Sequence, residues 1–254
     1  MLNGAATRRS IFQCESDCAM KNLLALPPQL ATALIVCIAA WLPAAQVHAQ
    51  ADACGSLTTH YGPYDYRTDR NKLPIVEKHH FSPAVENLIQ DPNWTAFGGH
   101  LAYTLNAFPN HHRALASVVR YGERTRTAQP RYLEYSVDCY FERALRFRPD
   151  DTVVRLLFAD YLARTKRTSE AIPHIDYARA AATDNPLTQY NVGLLYVEVE
   201  RYDDALRQAH LAMAQGVTLD GLKKKLEEKG RWVAPKLTAA DSASGAASSS
   251  AHPQ

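Results

Sequence analysis

Histidine is the residue type in this sequence with the clearest potential for chemistry, because its imidazole titrates near neutral pH and binds transition metals. Two adjacent pairs occur, His79-His80 and His111-His112. Neighbouring residues on a helix or strand point in different directions, so a pair rarely chelates a metal by itself. A site would instead need histidines from several elements. The histidines between positions 60 and 112 thus leave one alternative hypothesis, an enzyme or metal-binding protein with its site in this region.

Other catalytic signatures do not accompany these histidines. The sequence contains no HExxH, CxxC, CxxCH or GxSxG motif, no phosphate-binding glycine loop and no dinucleotide fingerprint. Two acidic pairs, Asp150-Asp151 and Asp203-Asp204, stand at predicted helix starts, where carboxylates interact favourably with free backbone N–H groups. We therefore predict a protein that is not an enzyme, has no catalytic residues and uses neither a metal nor a cofactor.

The composition excludes several other classes of protein. The 254 residues include 28 Lys and Arg against 26 Asp and Glu, a formal charge of +2. This balance argues against a polybasic nucleic-acid-binding protein and against an acidic disordered tail. The content of 46% hydrophobic and 21% charged residues is typical of a globular protein, and 11 glycines are few for a β-sandwich with many tight turns.

Residues 1–49 are predicted to be a cleaved signal peptide. Lys21 supplies a short positive region, Leu30–Leu42 carries no charge, and Val47-His48-Ala49 offers a cleavage site after Ala49. The uncharged run is shorter than the roughly 20 residues of a transmembrane helix. Residues 1–19 fit no signal pattern, so translation is predicted to start at Met20. We expect a periplasmic protein without a transmembrane segment in the mature chain; an uncleaved N-terminal anchor is the alternative.

Two cysteines, Cys54 and Cys139, follow the predicted signal peptide. An exported protein reaches an oxidising compartment, where such a pair commonly forms a disulfide. We predict a Cys54–Cys139 bond; two buried thiols are the alternative.

Small residues recur along the chain every 34 positions, an interval that we call the repeat step. The segments around them carry apolar residues three to four positions apart, which is typical of amphipathic helices. Small side chains allow antiparallel helices to approach closely. The sequence therefore predicts an all-α stack of helix pairs, with an ordinary helical bundle as the alternative. The residues in step are Ala144, Ala178 and Ala212; Ala171 and Ala205; Ala159 and Gly193; and Leu162 and Tyr196.

This pattern resembles the tetratricopeptide repeat, TPR, whose unit is a helix pair of about 34 residues, the same length as the repeat step. The match is best in the last repeat, Gly193-x2-Tyr196-x5-Tyr202-x2-Ala205-x6-Ala212. The middle repeat is diluted and the first is half present. Their matching residues are Ala159, Leu162, Thr168, Ala171, Ile175 and Ala178 in the middle repeat, and Phe141, Ala144 and Pro149 in the first.

The resemblance implies a TPR-like helical domain of about two and a half repeats over residues 109–233, closed by a polar capping helix, Gly221–Lys229. Residues 50–108 are predicted to be an irregular N-terminal segment with a short helix from Ser82-Pro83. Residues 234–254 are rich in Ala and Ser and predicted to be disordered. Pro173 falls inside a predicted helix, where it should delete a hydrogen bond or shift the helix start.

Three further stretches, YGPYDYR, FPNHHRAL and CYFERALRFRPDD, resemble exported, uncharacterised TPR proteins of Gram-negative bacteria. Some proteins of that kind carry a transporter-permease label. A mature chain without a spanning segment does not support permease activity.

In TPR proteins the first helix of each pair lines a concave binding surface. The resemblance therefore implies a mainly apolar groove, which suits a hydrophobic segment of a partner protein. We expect non-catalytic binding of an unidentified protein or peptide in the periplasm or cell envelope, and no nucleic acid; residues 50–108 could instead fill the groove. The implied groove residues are Val153, Leu156, Asp160, Arg164, Leu187, Tyr190, Asn191, Leu194 and Glu198.

Overall fold

The computed structural model describes residues 54–89, 97–181 and 184–235. Within these ranges the chain forms ten α-helices and no β-strand, which confirms the predicted all-α class. The predicted signal peptide and almost all of the predicted tail lie outside the described residues. The helices are α1 Leu73–His80, α2 Pro83–Glu86, α3 Phe97–Ala107, α4 His112–Thr125, α5 Val137–Phe147, α6 Thr152–Arg164, α7 Thr168–Ala181, α8 Pro186–Glu198, α9 Tyr202–Ala214 and α10 Gly221–Glu228.

Short polar side chains cap the starts of three of the long helices described, α5, α6 and α8. Asp151 accepts hydrogen bonds from the backbone N–H groups of Val153 and Val154 at the start of α6. Asn185 caps α8 in the same manner, and Pro186 follows it as the first helical residue. The start of α6 agrees with the helix start predicted at Asp150-Asp151. None of the helices in the described ranges is long and apolar enough to cross a membrane.

The helices α6 to α9 form two consecutive pairs, in which α6 packs against α7 and α8 against α9. Their first residues follow the repeat step, since α6 and α8 begin at 152 and 186 and α7 and α9 at 168 and 202. Further contacts join α8 to both α6 and α7. Pro173 lies inside α7 without shifting its start.

The same turn closes the first helix of each pair. Lys166 and Glu200, which are one repeat step apart, adopt left-handed φ angles of 65° and 61°. The N–H of the following residue, Arg167 or Arg201, then donates to the carbonyl of Leu162 or Tyr196 at 2.8 Å in both turns. This six-to-one bond is the mark of a Schellman C-cap, so the two pairs share their connection as well as their spacing.

The N-terminal region is built differently, from short helices held by a loop. Helix α1 packs against α3, and α2 contacts both α3 and α4. The segment HLAYTLNA, inside the predicted irregular segment, is part of α3, and the short helix predicted from Ser82-Pro83 ends at Glu86. Five buried residues form a small apolar cluster separate from the main core: Tyr66, Leu73, Val76, Ala107 and Phe108.

Candidate functional site

The charged members of the predicted groove are paired within the chain. Arg164 contacts both Glu123 of α4 at 2.8 Å and Asp160 at 2.6 Å. Glu198 accepts from Lys225 of α10 at 2.6 Å. These pairs lie at the C-terminal halves of α6 and α8, where the neighbouring helices α4 and α10 already engage the predicted surface.

The apolar members divide between exposed and partly covered side chains. Val153 and Leu187, near the starts of α6 and α8, are 43% and 56% exposed. Leu156, Tyr190 and Leu194 are half-buried against the main core, and Asn191 is exposed. The exposed apolar surface of these two helices is therefore concentrated at their N-terminal halves.

A polar joint occurs once at each helix pair. In the first, the Tyr161 hydroxyl donates to Asp138 at 3.0 Å, and Arg167 pairs with both Asp138 and Glu170. Burial and the neighbouring Asp138 carboxylate raise the pKa of Tyr161 to about 12. The phenol therefore stays protonated and keeps its role as donor.

The second joint repeats this arrangement one pair further along. The Tyr196 hydroxyl donates to Asp176 at 2.5 Å, while Arg201 pairs with Asp176 at 3.2 Å and with Asp204. Burial and the Asp176 hydrogen bond raise the pKa of Tyr196 to about 12 as well. Arg167 and Arg201 follow the repeat step, but the tyrosines and the aspartates are spaced more widely than the step. Because of this unequal spacing, a search for residues at a strictly constant interval does not detect the joint.

A second polar arrangement, the Asn110 network, joins the YGPYDYR loop to the starts of α4 and α6. Asn110, fully buried, donates through its amide nitrogen to Asp65 at 2.7 Å and to Asp151 at 2.8 Å. Its amide oxygen accepts from the backbone N–H of Tyr66 at 3.0 Å. A single side chain thus holds two buried carboxylates and the loop backbone together.

Basic side chains contact these two carboxylates. Asp65 pairs with Arg67 at 2.9 Å and Arg148 at 2.7 Å, and Asp151 contacts His112 Nε2 at 3.0 Å. Burial alone would raise the pKa of Asp65, but hydrogen bonds from Arg67 and Asn110 outweigh it and hold that pKa well below the usual range. Burial is likewise outweighed at Asp151, whose pKa is lowered by His112 and Asn110. Both carboxylates are therefore ionised and paired.

The remaining histidines are spread over several environments. His80 stacks on Tyr103 with ring centroids 3.7 Å apart, and its centroid lies 5.3 Å from that of His100. With Tyr61, Ile75, Val76 and His79, the His80 and Tyr103 side chains line a cleft of about 240 Å³. Among the described residues, no group of three or more His, Cys, Asp or Glu side chains is placed to hold a metal ion.

Cys54 and Cys139 are disulfide-bonded, which confirms the predicted bond. The chain matches no family model, no curated protein sequence and no solved structure.

Proposed function

We propose that this protein is a non-catalytic protein–protein interaction module with a TPR-like stack of helix pairs, exported to the periplasm or cell envelope. The observation that carries the proposal is the repetition of one structural unit. Helices α6/α7 and α8/α9 share the repeat step, their closing turn and their polar joint. Stacked helix pairs of this kind commonly expose a binding face along their first helices.

The partner surface is assigned to the N-terminal halves of α6 and α8. Val153 and Leu187 are exposed there, next to the half-buried Leu156 and Tyr190. The charges further along these helices are occupied by partners within the chain. An apolar surface beside charges that are already paired suits an apolar segment of a partner protein, such as one face of an amphipathic helix.

Site-specific photo-crosslinking in periplasm tests this assignment. A photoreactive residue at Val153 or Leu187 should capture the same partner, whereas one at Leu211, on the second helix of its pair and 46% exposed, should not. The substitutions Val153→Glu and Leu187→Glu should reduce recovery of that partner at least tenfold, while Leu211→Glu leaves it unchanged. Equal recovery from all three positions would contradict a specific surface on the first helices.

The export part of the proposal has its own test. Sequencing the N-terminus of protein isolated from the periplasmic fraction should give Gln50 as the first residue. Protein found only in the cytoplasm, or one that retains Leu30–Leu42, would contradict it.

A further inference from the structure

His111 occupies the point where the YGPYDYR loop, α1 and α4 meet. Its side chain is 0% exposed. Its ring lies 4.2 Å from the ring of Tyr66 in the loop and 4.8 Å from Phe81 directly after α1, measured between centroids. The buried imidazole therefore contacts the loop, the residue after α1 and the start of α4 at one point.

The hydrogen bonds of His111 define its protonation state. Nδ1 accepts from the backbone N–H of Ala114 at 3.1 Å and thereby caps α4. An acceptor nitrogen carries no proton, so the single ring proton is on Nε2, which donates to Glu77 Oε1 at 3.2 Å. A second proton would have to bind Nδ1, which would abolish the cap and place a charge in the interior.

The charged groups around His111 come from each element packed against it. Helix α1 contributes Glu77, whose carboxylate also pairs with Arg113 of α4 at 3.1 Å. Arg113 pairs in turn with Glu86 of α2. The loop contributes Tyr66 and Arg70, and α4 contributes His112, which is engaged by Asp151. The Glu77 carboxylate that touches His111 is thus shared with an arginine.

We propose that His111 is an acid-sensitive joint: protonation of its imidazole releases the YGPYDYR loop and α1 from the start of α4, while α6 to α9 stay folded. The released elements pack through the small cluster of Tyr66, Leu73, Val76, Ala107 and Phe108 rather than through the main core, and the loop is also held by the Asn110 network, which must open with it. Asp65 and Asp151 do not titrate first, because both have pKa values below the usual range.

Linkage gives the sign and size of the effect. Burial, with Arg113 and the other nearby cations, lowers the pKa of His111 from 6.5 to about 3 in the closed state. The released imidazole has its ordinary pKa, so the open state binds the extra proton and gains population as the pH falls below 6.5. Between pH 7 and pH 4.5 the opening equilibrium should increase by roughly two orders of magnitude.

Hydrogen–deuterium exchange of the purified chain at pH 7 and pH 4.5, with times corrected for intrinsic exchange rates, measures this release. Peptides within residues 61–80 should lose protection at pH 4.5, and peptides from α6 to α9 should keep it. His111→Asn retains a capping side chain but no titrating group, so the difference between the two pH values should disappear. The matched control is His174→Gln in α7, since burial lowers the pKa of His174 to about 4 but its ring packs on Phe158 of the main core.

Three results would overturn the proposal. They are unchanged protection of residues 61–80 in acid, an acid response that survives in His111→Asn, and simultaneous loss of protection in all helices. If His111→Asn fails to fold, an NMR titration of the His111 imidazole in the unsubstituted chain replaces it. The imidazole must then become protonated at the pH at which the loop is released, and an imidazole that stays neutral through the release would refute the joint.

Discussion

The region from the YGPYDYR loop to α4 and the region from α6 to α9 use polar residues in opposite ways. The first depends on a single network, in which Asn110 joins the buried carboxylates of Asp65 and Asp151. The second uses the Asp–Tyr–Arg joint twice, with partly exposed arginines, Arg167 and Arg201, and the first joint reaches Asp138 in the preceding helix α5. The single buried network connects elements of different structure, the loop and the starts of two helices. The repeated joint connects helices that occupy equivalent positions in successive pairs.

This difference has an energetic consequence. Removing one partner from a buried, hydrogen-bonded charge network is expensive, because the remaining groups stay desolvated without compensation. Partly exposed ion pairs regain water when a partner is lost and contribute little. We therefore expect polar substitutions to be most harmful in the loop-to-α4 region, and packing substitutions to matter most in α6 to α9.

The largest effect is expected from Asp151→Ala. This fully buried carboxylate caps α6 and accepts from Asn110 and His112, so its loss leaves two buried donors and two backbone N–H groups unpaired. The free energy of unfolding should fall by about 3–5 kcal/mol. Asp150→Ala is the matched control, since that side chain is 66% exposed and pairs with Arg67, and it should cost less than about 1 kcal/mol. Urea unfolding of both variants measures the difference, and equal losses would mean that the network contributes no more than a surface pair.

Gly193→Leu should have the next largest effect, through packing rather than charge. A Cβ atom at Gly193 would lie 3.2 Å from Gln208 Cβ and 3.5 Å from the Ala205 carbonyl oxygen of α9, and would overlap Leu222 of α10. Overpacking typically costs about 1–3 kcal/mol, and a whole leucine here should reach the upper end. A thermal melt of Gly193→Leu that matches the unsubstituted chain would contradict the close approach of these helices.

Gly98→Ala tests whether the loop-to-α4 region also contains one point of tight packing. A Cβ atom at Gly98 of α3 would lie 2.6 Å from the Tyr132 carbonyl carbon and 2.7 Å from the Leu133 nitrogen, both backbone atoms that cannot rotate away. We expect a loss of about 2 kcal/mol. Gly99→Ala, its exposed neighbour in the same helix, should gain up to about 1 kcal/mol because alanine favours helix. A gain at both positions would show that α3 is not packed against residues 131–133.

The sequence predicted the α6 to α9 region better than the rest, for a physical reason. Helices that repeat leave small residues such as Ala171 and Ala205 at a constant spacing, and their caps, Asp151 and Asn185, are local signals. Helix α1 has neither advantage. It is short and buries Leu73 and Val76 in a cluster formed with distant residues, so its helical state depends on tertiary contacts. Its local sequence therefore predicts only part of the irregular segment 50–108, whereas the structure forms a helix there.

The contacts of the candidate sites were less predictable than the helices. Asp65, Asn110 and Asp151 lie far apart along the chain, and no spacing rule brings them together. The sequence pattern places His111 among histidines that are structural, exposed or metal-binding without distinguishing these roles, and in the structure it is a buried helix cap. A histidine directly before an amphipathic helix occupies the N-cap position, and that position was the available signal.

The smallest expected effect concerns the repeated joints and appears at alkaline pH. The folded pKa values of Tyr161 and Tyr196, about 12, exceed the ordinary value of 10. A raised folded pKa means that the stabilisation is complete below pH 10 and is lost as the pH rises towards 12. At pH 8 each Tyr→Phe substitution should cost about 1 kcal/mol, because one buried hydrogen bond to aspartate is removed.

The pH dependence distinguishes this loss from a simple change in packing. Between pH 8 and pH 11 the unsubstituted chain should lose about 1 kcal/mol for each of Tyr161 and Tyr196, and the double phenylalanine variant should lose correspondingly less. Tyr140, whose pKa burial also raises to about 12, remains in that variant and preserves part of the slope. Tyr177→Phe at an exposed position is the control. Urea unfolding at the two pH values gives the slopes. In Tyr161→Phe and Tyr196→Phe, Arg167 and Arg201 still pair with the aspartates. The joints should therefore lose far less stability without a tyrosine hydroxyl than the Asn110 network loses without Asp151.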